Sequence, residues 1–221
     1  LALAADSGAP LALAVVPATL DAAATTQIAA ADGVAVLQHG YAHHNHAGAD
    51  ARKTELGPER PAAEALDELA RGRRRLVAAF GQRALPVLVP PWNRIDAGIV
   101  AGLVGAGFRG LSTYAPRPDA RPVPGLVQVN SHVDIIAWRT TRGFVGVETA
   151  LGLALAHLRA RRRGIVDDDE PTGLLSHHLV HDAAAWEFIA AFVETTRAHA
   201  GARWLGADQA FGPGPRQEAG P

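Results

Sequence analysis

Short β-type runs alternate with helical stretches along nearly the whole chain, and this alternation constrains the fold more than any other feature. The β-type runs lie at 11–16, 34–37, 86–89, 108–111, 126–129 and 173–176, with a last one at 204–205. Helical patterns lie between them, at 20–31, 61–80, 96–105, 148–162 and 182–199. Strands and helices that alternate at this spacing form parallel sheets. The sequence therefore predicts an α/β fold, either a doubly wound sheet or a (β/α) barrel.

The chain length fits a single domain, which we place at residues 1–210 of the 221. The Gly- and Pro-rich segment 211–221 is expected to be a flexible tail. Residues 1–5 read as the end of a helix that runs into a turn at residues 7–10. We therefore expect that a first strand, upstream of Leu1, is missing.

The charge balance argues against a charged macromolecular partner. Lys and Arg together number 21 and Asp and Glu 22, with no basic face or acidic tail, so neither nucleic acid nor an anionic membrane is an expected partner. No apolar run reaches the roughly 18 residues of a membrane span. No signal peptide is visible either, which indicates the cytoplasm on the sequence as it stands, although the expected missing start leaves localisation undecided. A small or neutral ligand fits better, and the sequence predicts no oligomeric state.

Polar side chains follow four of the predicted strands at the point where each strand ends. These segments are Gln38-His39, Pro90 to Arg94, Asn130 to Asp134, and His177-His178. The opposite ends of the same strands carry ordinary turn residues. In doubly wound sheets and in barrels, functional residues collect beyond the carboxyl ends of the strands. The sequence thus predicts one site at this edge.

Two histidines at the first of these ends, His39 and His43, are candidate metal ligands. Their spacing brings two imidazoles within reach of one ion if the chain turns after Gly40, and the absence of cysteine leaves imidazole, carboxylate and water as ligands. The alternative is a solvated, histidine-rich loop. We expect the neighbouring His44 and His46 to lie outside the ligand set.

The next two segments offer groove walls and charges. Pro91 and Trp92 would form a rigid wall, and Arg94 could orient a carboxylate; the alternative is a proline-terminated strand with Trp92 as a core plug. Asp134 could pair with Arg94 or with a histidine, and could equally cap a helix or stay exposed. Trp138, like Trp92, could form part of the groove wall or fill the core.

The last segment supplies a candidate general acid. His177 and His178 point to opposite faces of a strand end, so at most one enters the pocket, and we prefer His177. A histidine suits this role because a general acid with a pKa near neutrality can protonate a leaving amine. Either could instead be a structural histidine. The acidic run Asp167 to Glu170 is interpreted as solvated and charge-balancing.

Taken in order, these motifs resemble those of the polysaccharide deacetylases of the NodB-homology, carbohydrate esterase type. His39 and His43 match the His-x-x-x-His motif, with Gly40 where Ser or Thr is usual. Val89 to Trp92 resembles the Arg-x-Pro-Tyr segment, with Arg94 as the substitute arginine. Asp134 to Trp138 resembles Asp-x-x-Asp-Trp, with Ala137 in place of the second acid, and Leu174 to His177 resembles Leu-x-x-His.

The resemblance implies a distorted (β/α) barrel and an enzyme that removes N-acetyl groups from an amino sugar of a poly- or oligosaccharide. It implies a divalent metal, with zinc as the default, held by His39 and His43. It also implies catalytic roles for His177, His178, Arg94 and Asp134 and substrate contacts from Pro91, Trp92 and Trp138.

The chain departs from the family in one respect. The Asp-Asp motif that supplies the base and the third metal ligand has no match, and the strand order places it upstream of Leu1. The alternatives are a non-catalytic metal- or carbohydrate-binding protein on the same scaffold, or a metal hydrolase for another amide or ester.

Overall fold

The computed structural model describes residues 1–212, and its core is a parallel sheet flanked by helices. Five strands lie in the order β1 to β5, all parallel: Leu11–Val15, Val34–Gln38, Ala84–Leu88, Gly110–Leu111 and Val127–Gln128. Two more, β6 (Val133–Asp134) and β7 (Leu174–Leu175), form a second parallel sheet. The predicted α/β architecture of parallel strands is confirmed.

Helices connect the strands in the alternating order expected from the sequence. They are α1 (Ala2–Ser7), α2 (Ala22–Ala30), α3 (Ala62–Phe80), α4 (Ala97–Gly102), α5 (Val147–Arg162), α6 (Ala183–Ala198) and α7 (Ala207–Ala210). The side chains of Asp21, Asp96 and Asp182 accept backbone N–H groups at the starts of α2, α4 and α6. These caps satisfy donors that have no partner inside the helix. None of the helices in residues 1–212 is long and apolar enough to cross a membrane.

The core consists of three apolar clusters, two on the large sheet and one on the small sheet. Leu69 and Leu76 of α3 lie in the two large-sheet clusters, against strands β1 to β4. The third joins β6 to α5 and α6 through Val133, Ala154 and Phe188. The strand ends are thereby held against packed helices, which fixes the loops that follow them.

Two strand predictions differ from the structure. Residues 133–134, expected to be a loop, form β6, because Val133 is buried against α5 and α6 and its N–H bonds to the Gly173 carbonyl. The pair 204–205 was predicted as a strand but is irregular. Trp204 instead packs on the same cluster and donates its indole N–H to Thr196 on α6.

The predicted tail begins with a packed residue. Phe211 lies against Gly110 of β4, where a Cβ would collide with its ring. The rest of that tail, residues 213–221, lies outside the described residues.

Candidate active site

His39 is the first residue after β2, and its ring is held in one tautomer. Its Nδ1 lies 2.8 Å from the carbonyl oxygen of Val89, the residue after β3. Because a carbonyl can only accept, Nδ1 carries the hydrogen and Nε2 keeps its lone pair. Burial, partly opposed by the bond to Val89 and helped by His43 and His177, lowers the pKa of His39 to about 4. His39 is therefore neutral at pH 7, the form in which imidazole binds metals.

His43 lies opposite His39 across a tight loop. The two ring centroids are 5.0 Å apart, and the ring of His43 contacts that of Trp92 at 4.3 Å. His43 has a φ of 56° and is exposed, so its ring lies at the mouth of the site. Two imidazoles that share a tetrahedral ion at about 2.0–2.1 Å have ring centroids roughly 5 Å apart. The histidine pair thus has a spacing that fits one ion.

A buried carboxylate holds the loop that carries His43. Glu55 is 1 % exposed. It accepts the backbone N–H groups of Tyr41, Ala42 and His43 at 3.1, 2.8 and 3.2 Å. Sequence reasoning missed Glu55, since an acid in an irregular segment carries no pattern that distinguishes it from a solvated one.

Gly40 departs from the usual Ser or Thr for a physical reason. Its φ is +60°, and a Cβ at this position would overlap the Glu55 carboxylate and the Pro91 ring. Only glycine allows both the backbone conformation and this close approach. The glycine at position 40 thus makes room for the Glu55 carboxylate, which orders the loop.

Pro91 and Trp92 belong to a short 3-10 turn that begins three positions after the last residue of β3. Pro91 is buried, whereas Trp92 is half-buried, with a φ of 55°, and its ring faces His43. The interpretation of Trp92 as a core plug is therefore wrong. Arg94 donates to the carbonyl of Lys53 at 2.8 Å and so braces a neighbouring loop.

Asp134, Trp138 and His177 form a second group, at the ends of β6 and β7. Nε2 of His177 lies 3.3 Å from Oδ1 of Asp134, and the Trp138 indole N–H donates to Oδ2 at 2.8 Å. The Trp138 ring meets His177 edge-on at 4.7 Å. Of the partners considered for Asp134, the structure brings a histidine to it. Trp138 is 42 % exposed, so it is not a core residue.

The second group lies close enough to the first for His177 to be among the groups that lower the pKa of His39. Beside them lies a cleft of about 340 Å³, lined by Tyr114, Asp134, Ile136, Ala137, Trp138, Arg139 and Thr140. Its lining combines two aromatic side chains with charged and polar ones.

The remaining histidines of these segments lie outside the group. His178 is exposed in a 3-10 turn, and His181 accepts the backbone N–H of His177 at 2.8 Å. His44 and His46 are exposed and stack on each other, with ring centroids 5.1 Å apart. Within residues 1–212, no third His, Asp or Glu side chain lies close enough to share an ion with His39 and His43.

A separate, buried cluster contains His132, His157 and Glu170. Each offers one ligand atom, all within 4.8 Å of one another, so the cluster could hold a metal ion. The two rings stack at 3.5 Å, and Nε2 of His132 lies 3.2 Å from Glu170. However, Nδ1 of His132 accepts the Gly173 N–H at 3.1 Å, so in the neutral ring Nε2 carries the hydrogen. If His132 bound a metal ion, the hydrogen bond from the Gly173 N–H to its Nδ1 would have to break.

Glu170 corrects the interpretation of residues 167–170 as a solvated run. It is fully buried, and it accepts the backbone N–H groups of Asn130 at 2.8 Å and Arg117 at 2.9 Å. Burial raises the pKa of Glu170, but the bonds from His132 and these two N–H groups outweigh it, and the net pKa is lowered. Asp167 pairs with Arg117 at 2.7 Å. Of the four acidic residues, only Asp168 and Asp169 are exposed.

Known structures share this arrangement of strands and helices. A putative polysaccharide deacetylase from Mycobacterium smegmatis matches with a TM-score of 0.66 and 19 % identity, over 95 % of this chain and 73 % of that one. Puue allantoinase matches with a TM-score of 0.61 and 15 % identity, over 95 % and 68 %. No protein-family model and no curated protein matches the sequence. The predicted NodB-type deacetylase fold is confirmed.

Proposed function

We propose that this chain is a metal-dependent hydrolase that removes N-acetyl groups from an amino sugar of a poly- or oligosaccharide. One observation carries the proposal: the neutral His39 with its neighbour His43, and the His177–Asp134 pair, both lie at the carboxyl ends of parallel strands. The fold shared with proteins named as a deacetylase and an allantoinase supports a hydrolase on this scaffold.

His39 and His43 would hold the metal. Their ring spacing and the lone pair left on His39 fit a divalent ion, and zinc is the usual ion for two imidazoles and a carboxylate with one open position. When bound, such an ion lowers the pKa of water and polarises the amide carbonyl. The Val89 carbonyl positions His39, and Glu55 positions His43 through the backbone.

His177 would donate the proton to the departing amine. Oδ1 of Asp134 lies 3.3 Å from its Nε2 and is placed to orient the ring. The Trp138 N–H in turn holds the carboxylate, so that Asp134 and Trp138 are positioning residues for the acid. Pro91, Trp92 and Trp138 would form the apolar walls for the sugar. Catalytic roles for Arg94 and His178 stay predictions.

The metal test uses the four histidines of residues 39–46. After dialysis, we expect the purified protein to retain about one zinc, and His39→Ala and His43→Ala to lose it. His44→Ala and His46→Ala are matched controls, because both side chains are exposed and contact each other, and they should retain it. Equal retention by all four variants would contradict the proposal. His157→Ala is included, because loss of metal in this variant alone would assign the ion to the buried cluster.

The activity test measures acetate release from oligomers of N-acetylglucosamine. It is run on this chain and on a version extended upstream, since no residue here matches the motif that supplies the base. Turnover that is lost in His39→Ala and His177→Ala supports the deacetylase. The similarity to an allantoinase favours a second candidate, a hydrolase for a different amide, and cyclic amide substrates in the same assay distinguish the two. Sugar binding without turnover of any substrate would indicate a binding protein.

A further inference from the structure

The outer face of α5 carries four large aliphatic side chains that no residue of 1–212 covers. Val147, Leu151, Leu155 and Leu158 are 55, 40, 47 and 47 % exposed. Their spacing places them on one face of the helix, next to the face from which Ala150 and Ala154 pack into the core. A contiguous apolar patch of this kind marks an interaction surface.

Charged residues on this face lie only at its two ends. Glu148 is in the first turn of α5, and Arg159 and Arg162 are in the last. Glu148 and Arg162 are about 21 Å apart, at 1.5 Å per residue. A second α5 laid antiparallel on the first would place each Glu148 beside the other copy's Arg162. The charge pattern is therefore complementary to an inverted copy of itself.

Gly152 provides independent support for a close helix contact. It lies in the middle of α5 and is exposed, and a Cβ built there meets nothing within 4 Å. Glycine is among the least favourable residues in a helix interior, and packing within residues 1–212 gives no reason for it. In a two-fold pair centred on Leu155, Gly152 faces Leu158 of the second copy. The missing side chain leaves space for that leucine.

We propose that α5 is the interface between two copies of this chain, paired antiparallel about a two-fold axis at Leu155. Such an interface is isologous, so each contact occurs twice. Residues 213–221 carry no Leu, Ile, Val or aromatic side chain that could cover the stripe instead. One helix pair buries an area at the low end of stable interfaces, so we expect a dimer that dissociates on dilution. This proposal does not depend on the hydrolase.

Charge reversal tests the pairing in the 221-residue chain by sedimentation velocity over a concentration series. Glu148→Arg and Arg162→Glu each place like charges together twice, and each should weaken association at least about tenfold. The double variant should restore it, because the opposite charges meet again. Thr149→Arg, exposed on α5 but off the stripe, is the control and should associate like the wild type. A wild-type chain that stays monomeric throughout, or a dimer unaffected by either reversal, overturns the proposal.

Crosslinking tests the position of the axis. The chain has no cysteine, so Leu155→Cys introduces one thiol per copy, at the point where the two helices meet. Mild oxidation should give a covalent dimer with Leu155→Cys and none with Thr149→Cys. Equal crosslinking of the two variants, or none with Leu155→Cys, would overturn this arrangement.

Discussion

The replacement Glu55→Gln changes one atom in the carboxylate that orders the loop from Gly40 to His43. Oε1 accepts from Tyr41 and Ala42, and Oε2 accepts from His43. Glutamine keeps one oxygen for two donors and presents its NH₂ group to the third. Hydrogen bonds to a charged group contribute about 1.5–3 kcal/mol each, and neutral ones about 0.5–1.5. Two bonds are therefore weakened and one is lost. Because the exposed end of the loop can bond to water instead, part of this loss is offset, and we expect the free energy of unfolding to fall by about 2–4 kcal/mol.

The assay combines denaturant unfolding of the metal-free protein with zinc affinity measured by chelator competition. Besides the stability loss, we expect zinc to bind roughly 10–100-fold more weakly, as is typical when a group that orients a ligand is altered. Asp50→Asn, an exposed carboxylate in the same connection between β2 and α3, is the control and should change the free energy of unfolding by less than about 0.5 kcal/mol. A Glu55→Gln protein as stable as this control, with unchanged zinc affinity, would refute the reasoning.

Three further predictions follow from the same geometry. Burial lowers the pKa of His157 to about 4 from 6.5, so the unfolded chain binds a proton that the folded chain does not. The free energy of unfolding of the metal-free protein should therefore fall as the pH drops from 6.5 towards 4, and His157→Gln should flatten this slope in denaturant titrations. Gly40→Ala should lower stability by at least about 2 kcal/mol, whereas Gly48→Ala, in open space, should be nearly neutral by thermal unfolding. If the deacetylase proposal holds, His177→Ala should lower kcat by about 100- to 10,000-fold, and His178→Ala, exposed outside the group, by less than about twofold.

The sequence predicted the α/β architecture of parallel strands. Helix α3 was expected at 61–80 and spans Ala62–Phe80, because its apolar residues recur at helical spacing. His39 and His177 were found because each follows a strand whose pattern is local. Local pattern also predicted a helix at 182–199, where α6 spans Ala183–Ala198.

The contacts between distant segments were not predictable. Glu55 reaches the backbone of residues 41–43 from 12 to 14 positions away, and Glu170 reaches Arg117 from 53 away. Nothing in the identity of an isolated glutamate distinguishes a buried acceptor of N–H groups from a solvated charge. Strand β6 was missed for a similar reason, since two residues carry no periodicity and pairing with β7 depends on tertiary packing.

The bonds made by Glu170 have a consequence for the order in which the chain folds. The N–H groups of Arg117, between β4 and β5, and of Asn130, between β5 and β6, bond to the side chain of Glu170, which follows α5. A nascent chain that ends before α5 would therefore carry strands β1 to β5 with two backbone donors still unmatched. Contacts of such long sequence separation form late, because the intervening loop must first close. The edge of the large sheet next to β5 is thus expected to be the last part of that sheet to become rigid.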